Sequence, residues 1–115
     1  MDIYEEAALL ATHIHESEQA QNYRQLKKEV LSNPQDRKMV EYYKELQTEA
    51  QKKIMAGEEA PKELMDKIAK MGEVLNFNPK ITEFFVAEFN LRTMAHDMLK
   101  IIADACDLDT AWLEE

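Results

Sequence analysis

The sequence predicts an all-α fold, a multihelical bundle of about five helices in which the third and fifth are long. Three observations carry this. The 115 residues hold only two glycines and three prolines, too few turn residues for a sandwich or a doubly wound sheet. Apolar residues recur again and again at 4-3-4 spacing, which stacks them on one stripe of a helix. Asn-Pro occurs twice, at Asn33-Pro34 and Asn78-Pro79, and that pair is a strong helix-start signal. With 45% hydrophobic and 32% charged residues the chain is globular rather than disordered, and its length predicts a single domain, 1–115.

Ile3, Ala7, Leu10 and Ile14 define a first helix over about 2–16. Ser17 is a cap for a second segment, because its hydroxyl can accept from free backbone N–H groups. Ala20, Tyr23, Leu26 and Val30 carry that segment to about Leu31, nearly continuous with the first. Asn33 caps the third helix, Pro34 takes the first position, where no N–H is needed, and Asp36 suits the positive N-terminus. Met39, Tyr43, Leu46, Ala50 and Ile54 form its stripe, and Gly57 then supplies a left-handed cap. The helix should span 34–56, roughly 34 Å at 1.5 Å per residue. Ala60-Pro61 restarts the chain; Leu64, Ile68, Met71 and Leu75 make the fourth seam, with Gly72 beside it as a site for close helix approach. The fifth helix runs from Pro79 to about Cys106, and a last turn can start near Asp109 in a tail that carries Trp112. The likeness of Val30–Pro34 to Val74–Pro79 has two readings, an internal duplication or convergent capping chemistry.

The fifth helix is the informative element. Ile81, Phe84, Phe85, Leu91, Ala95, Met98, Leu99, Ile101, Ile102, Ala103, Ala105 and Cys106 cover roughly 200° of its wheel, and Val86 and Phe89 lie outside even that arc. Either it is the central helix of a monomeric bundle, or it is shared between subunits; long helices in a short chain favour a homo-oligomer, a dimer or higher. Phe84, Phe85, Glu88, Phe89 and Arg92 are the candidate interface. Glu88 and Arg92 stand at i, i+4 in the favourable order. They read either as a half-exposed helix pair or as an interfacial charge pair that sets register.

The formal net charge of −9 disfavours phosphate backbones and anionic membranes. The basic groups Arg24/Lys27/Lys28 and Lys52/Lys53 are flanked by Glu, as solvated helix faces are. The N-terminus has neither a basic region nor a long apolar run, and the single Cys106 fits a reducing compartment; a cytoplasmic protein is expected. His13 and His15, two apart on a helix, lie about 200° apart and cannot chelate one metal. His96 sits at a polar edge. No Glu-x-x-His pair, phosphate loop or nucleophile–base pattern occurs. Cys106 reads as a buried structural thiol and the seven methionines as adaptable core filler. No catalytic residue, metal ligand or cofactor is expected.

Three stretches carry a resemblance: Ser17-Glu18-x-x-x-Asn22-Tyr23-Arg24-x-Leu26, then Asn33-Pro34 leading into the 39–51 stripe, then Gln51 through Glu59. Together they resemble the YlbF/YmcA/YheA family of bacterial all-helical proteins, over about residues 3–105. The resemblance implies long helices, association into dimers or larger assemblies, and regulatory roles in competence, sporulation, biofilm development or RNA maturation, as accessory subunits rather than nucleases. It supplies no active-site residues. Some members carry a cysteine-bearing C-terminal extension associated with iron–sulfur clusters, and this chain has only Cys106. The expectation is therefore a non-catalytic interaction subunit. The alternative is a metal- or iron–sulfur-binding regulator.

Overall fold

A computed structural model describes residues 1–109 and 111. Five helices follow one another: α1 (Ile3–Glu16), α2 (Glu18–Ser32), α3 (Pro34–Met55), α4 (Lys62–Asn76) and α5 (Pro79–Ala105), with no strand among the described residues. The all-α class and the order of elements are as the sequence predicts. Of the expected last turn near Asp109, most lies outside the described residues, Trp112 with it.

The ends of the helices are set by short-range polar chemistry. Asp2 caps α1, its carboxylate accepting from the Glu5 N–H at 2.8 Å. Ser17 is a single extended residue between α1 and α2. Its hydroxyl donates to the Ile14 carbonyl at 2.6 Å and accepts from the Ala20 N–H at 3.2 Å, closing one helix and opening the next. Asn33 accepts from the N–H groups of Gln35 and Asp36, and Asn78 from those of Lys80 and Ile81. Each satisfies two of the N–H groups that a helix start leaves unpaired. Gly57 (φ +83°) ends α3 as expected: its N–H bonds the Ile54 carbonyl, and the Glu58 N–H bonds the Lys53 carbonyl, the paired closure of a Schellman turn. The end of α5 repeats this with Asp107 (φ +57°) in glycine's place. There the Asp107 and Leu108 N–H groups reach Asp104 and Ala103.

Packing divides the chain into two units, and the cut falls inside helices. Unit 2 is Leu26–Phe84: the end of α2, all of α3 and α4, and the first turns of α5. It contains every large buried apolar side chain among the described residues: Leu26, Val30, Val40, Leu46, Leu64, Leu75, Ile81 and Phe84. α3 and α4 form an antiparallel hairpin in which Leu46, Ala50 and Leu64 pack with Ala60, Ile68 and Met71. Lys44 sets its ammonium 5.4 Å from the centre of the Phe84 ring. Asn78, besides capping α5, donates to Asp36 in the first turn of α3 at 3.3 Å, and Lys80 pairs with Glu29 at 2.6 Å. Two expectations change here. Ile54 is exposed, because it sits in the last turn of α3, beyond the level at which Ala50 and Leu64 close the hairpin. Gly72 is not needed for close approach: a Cβ there would meet only the Tyr43 hydroxyl, at an ordinary 3.6 Å.

Unit 1 combines Met1–Gln25 with the chain from Phe85 onward. Its buried apolar residues are three alanines, Ala20, Ala87 and Ala103. α1 has no buried residue at all.

Candidate functional site

The residues singled out on α5 separate by unit. Phe84 is 1% exposed in unit 2; it is core, and a partner cannot reach it, which corrects its place in the candidate interface. The reason is the turn that precedes it: Asn78 caps α5 so that Ile81 and Phe84, three apart, share the buried face. Phe85 is half-buried. Phe89, five residues after Phe84 and so on the opposite side of the helix, is 69% exposed.

Glu88 and Arg92 do pair, at 3.5 Å, with the carboxylate mostly covered and the guanidinium largely in solvent. The structure adds a third member. The Tyr23 hydroxyl donates to Glu88 Oε2 at 3.3 Å, so one carboxylate bridges a phenol on α2 and a guanidinium on α5. Burial, followed by the charge and hydrogen bond of Glu88, raises the Tyr23 pKa above its usual 10, and Arg92 opposes this. Sequence reasoning placed Tyr23 on the apolar face of the second helix. No local spacing signals a bond across 65 residues.

The junction of α1 and α2 is also polar. Arg24 donates to the His15 carbonyl at 2.8 Å and lies 3.3 Å from the His15 ring. Gln21 donates to the Glu16 carbonyl at 2.8 Å. The His15 and Glu16 carbonyls, left open by the end of α1, are thus filled from α2, and of the α1 stripe Ile3, Ala7, Leu10 and Ile14 only Ile14 is half-buried.

Cys106 is exposed, against the expected buried thiol. It follows the last residue of α5, where the chain turns out through Asp107, so the helical wheel that put it on the apolar arc no longer applies. His13, His15 and His96 are exposed. Among the described residues no three His, Cys, Asp or Glu side chains come together as metal ligands, and no helix is long and apolar enough to cross a membrane.

What unit 1 presents instead is apolar surface. Ile3, Tyr4, Leu9 and Leu10 on α1, and Val86, Phe89, Leu99, Ile101 and Ile102 on α5, are all exposed. Scattered exposed apolar residues are normal; this many in a unit whose own core is three alanines is not.

The family model described as "Control of competence regulator ComK, YlbF/YmcA" matches residues 3–107. The chain belongs to that family. Relatives with the same span include a UPF0342 protein of Caldicellulosiruptor bescii, 28% identical over 96% of this chain and 94% of the relative. A UPF0342 protein of Clostridium novyi is 28% identical over 95% and 96%, and one of Bacillus licheniformis is 26% identical over 89% and 87%. Membership in the YlbF/YmcA family agrees with the all-α fold and with the resemblance carried by the 17–26 and 51–59 stretches. The relatives' names specify no chemical activity.

Proposed function

We propose that this chain is a non-catalytic association subunit that works in the cytoplasm, where it binds protein chains through unit 1 and takes part in regulatory control of the competence type. One observation carries the reading: unit 1 buries three alanines while Ile3, Leu10, Phe89, Ile101 and Ile102 face solvent. A helical unit with so little core of its own gains its apolar burial from a partner. The net charge of −9 supports a protein partner over a nucleic acid. The family description, control of a competence regulator, supports a regulatory role, and homo-oligomerisation is part of the proposal.

Affinity capture with the full chain from its native cell tests this. A protein recovered in stoichiometric amount, and lost when Phe89 and Ile101 are both replaced by Ser, is the expected result. Recovery of no stoichiometric protein, together with a monomeric bait, refutes the reading.

A further inference from the structure

We infer that the last turns of α5 dock a cationic amphipathic helix of a partner protein, with its apolar stripe on Leu99, Ile101 and Ile102 and its Lys or Arg flank against Asp97, Asp104 and Asp107. This rests on the association reading above and names the chemistry of the partner.

Three observations lead there. The first is where the charge lies. By sequence, unit 1 holds twelve acidic residues against three basic ones, Arg24, Arg92 and Lys100, whereas unit 2 holds eleven of each. The whole net charge of −9 therefore belongs to unit 1, the unit whose buried apolar residues are three alanines. Arg24 and Arg92 are already engaged within it, at the His15 carbonyl and at Glu88. The second is the face itself. Leu99 and Ile102, three apart, are neighbours on the helix, Ala95 and Ala105 extend their arc, and Ile101 borders it. Ile101 is 68% exposed and Ile102 51%. Asp97 and Asp104, four before and three after Ile101, line its outer side and are exposed, with Lys100 beyond them. The third is the helix end. α5 has no basic residue in its last turn. Asp104 and Asp107 stand there instead, at the negative end of the helix dipole, where a cation is favoured and a carboxylate is not. By contrast α3 ends on Lys52 and Lys53.

Apolar side chains bordered by carboxylates select a partner that is apolar and cationic at once. An amphipathic helix with Lys or Arg beside its stripe is both. The methylene stems of those residues cover apolar surface while their charged ends reach the carboxylates, and they bring positive charge to the end of α5 that lacks it. From Ala95 to Cys106 the face is roughly 17 Å long at 1.5 Å per residue, the length of about three turns of a partner helix. A nucleic acid or an anionic bilayer brings charge of the wrong sign. A second copy laid face to face on these turns sets the same carboxylates against one another, and opposed like charges cost affinity.

Titration of a labelled Leu/Lys peptide, of about four turns with its leucines at helical spacing, against the full chain tests the site by fluorescence anisotropy. Binding should fall at about 10 μM in about 50 mM salt and weaken about five-fold or more at about 300 mM, as the ion pairs are screened. A Leu/Glu peptide with the same stripe, and a Leu/Lys peptide of scrambled order, should each bind at least about ten-fold more weakly. Ile101→Ser/Ile102→Ser and Asp97→Lys/Asp104→Lys should each weaken Leu/Lys binding about ten-fold, with helical circular dichroism retained because all four sites are exposed. Glu5→Lys/Glu6→Lys makes the same change of charge on α1 and should alter binding by less than about three-fold, which separates a site from bulk charge. No Leu/Lys binding at about 200 μM chain, equal binding of the scrambled peptide, or indifference to both double substitutions on α5 overturns the inference. The capture experiment decides the association reading separately. A captured protein whose segment protected from hydrogen exchange is basic and amphipathic, and which the Leu/Lys peptide displaces, is the expected result. An acidic or uncharged protected segment, or a second copy protecting these turns, overturns the inference and leaves that reading standing.

Discussion

Phe84 and Phe89 are the same residue type five positions apart on one helix, and the structure gives them opposite fates: 1% and 69% exposed. Truncating Phe84 to Ala removes a fully buried ring from the core of unit 2 and leaves a cavity beneath Lys44. Such a change costs about 3–5 kcal/mol, of which the lost cation–π contact with Lys44 is about 0.5–1 kcal/mol. Against a total stability of about 5–15 kcal/mol for a domain of this size, that is about a fifth or more of the folded state's margin. Phe89→Ala removes a ring already in water, so the monomer should change by no more than about 0.5 kcal/mol. Urea melts followed by far-ultraviolet circular dichroism, at micromolar protein and at a hundred-fold higher concentration, read both terms. The expected pattern is a large, concentration-independent loss for Phe84→Ala. For Phe89→Ala the loss should be near zero when dilute and grow only where association contributes. Similar losses for the two variants in dilute solution would refute the register of α5 and, with it, the division between core and surface drawn along that helix.

The two glycines should respond to alanine with opposite signs in the same melts. Gly57→Ala should destabilise by about 1–2 kcal/mol, because φ +83° is strained for any residue with a Cβ, whereas Gly72→Ala should stabilise by about 0.5–1 kcal/mol, since helix α4 has room for the methyl group. Tyr23 holds its proton more tightly in the folded chain than in the unfolded one. Its contribution to stability is therefore complete below about pH 10 and declines as pH climbs through its raised pKa. Absorbance at 295 nm should show one late-titrating phenol that disappears in Tyr23→Phe and moves down in Glu88→Gln. Cys106, being exposed, should react with a thiol reagent in the native protein at the rate seen in urea; a rate slowed a hundred-fold by folding would contradict its position.

Local chemistry is legible in this sequence because it acts over three to five residues. Asn33 and Asn78 before their prolines, Ser17 between two periodic segments, and Gly57 after Ile54 each set a helix boundary by bonds to nearby backbone groups, so the five helices and these boundaries follow from the chain alone, whereas the Asp2 cap of α1 and the Asp107 turn after α5 appear only in the structure. The apolar stripes were equally legible, including the one on α1. Periodicity reports that a face is apolar, but not whether anything covers it. The tertiary structure decides that: it buries Ile81 and Phe84 in unit 2 and leaves Ile3, Leu10, Phe89 and Ile101 in water. It also joins Tyr23 to Glu88 across 65 residues and turns Cys106 outward at the end of α5. The sequence by itself determined where the helices are and which of their faces are apolar. Only the fold decided which of those faces were already occupied, because burial depends on what packs nearby in space and not on what is near in sequence.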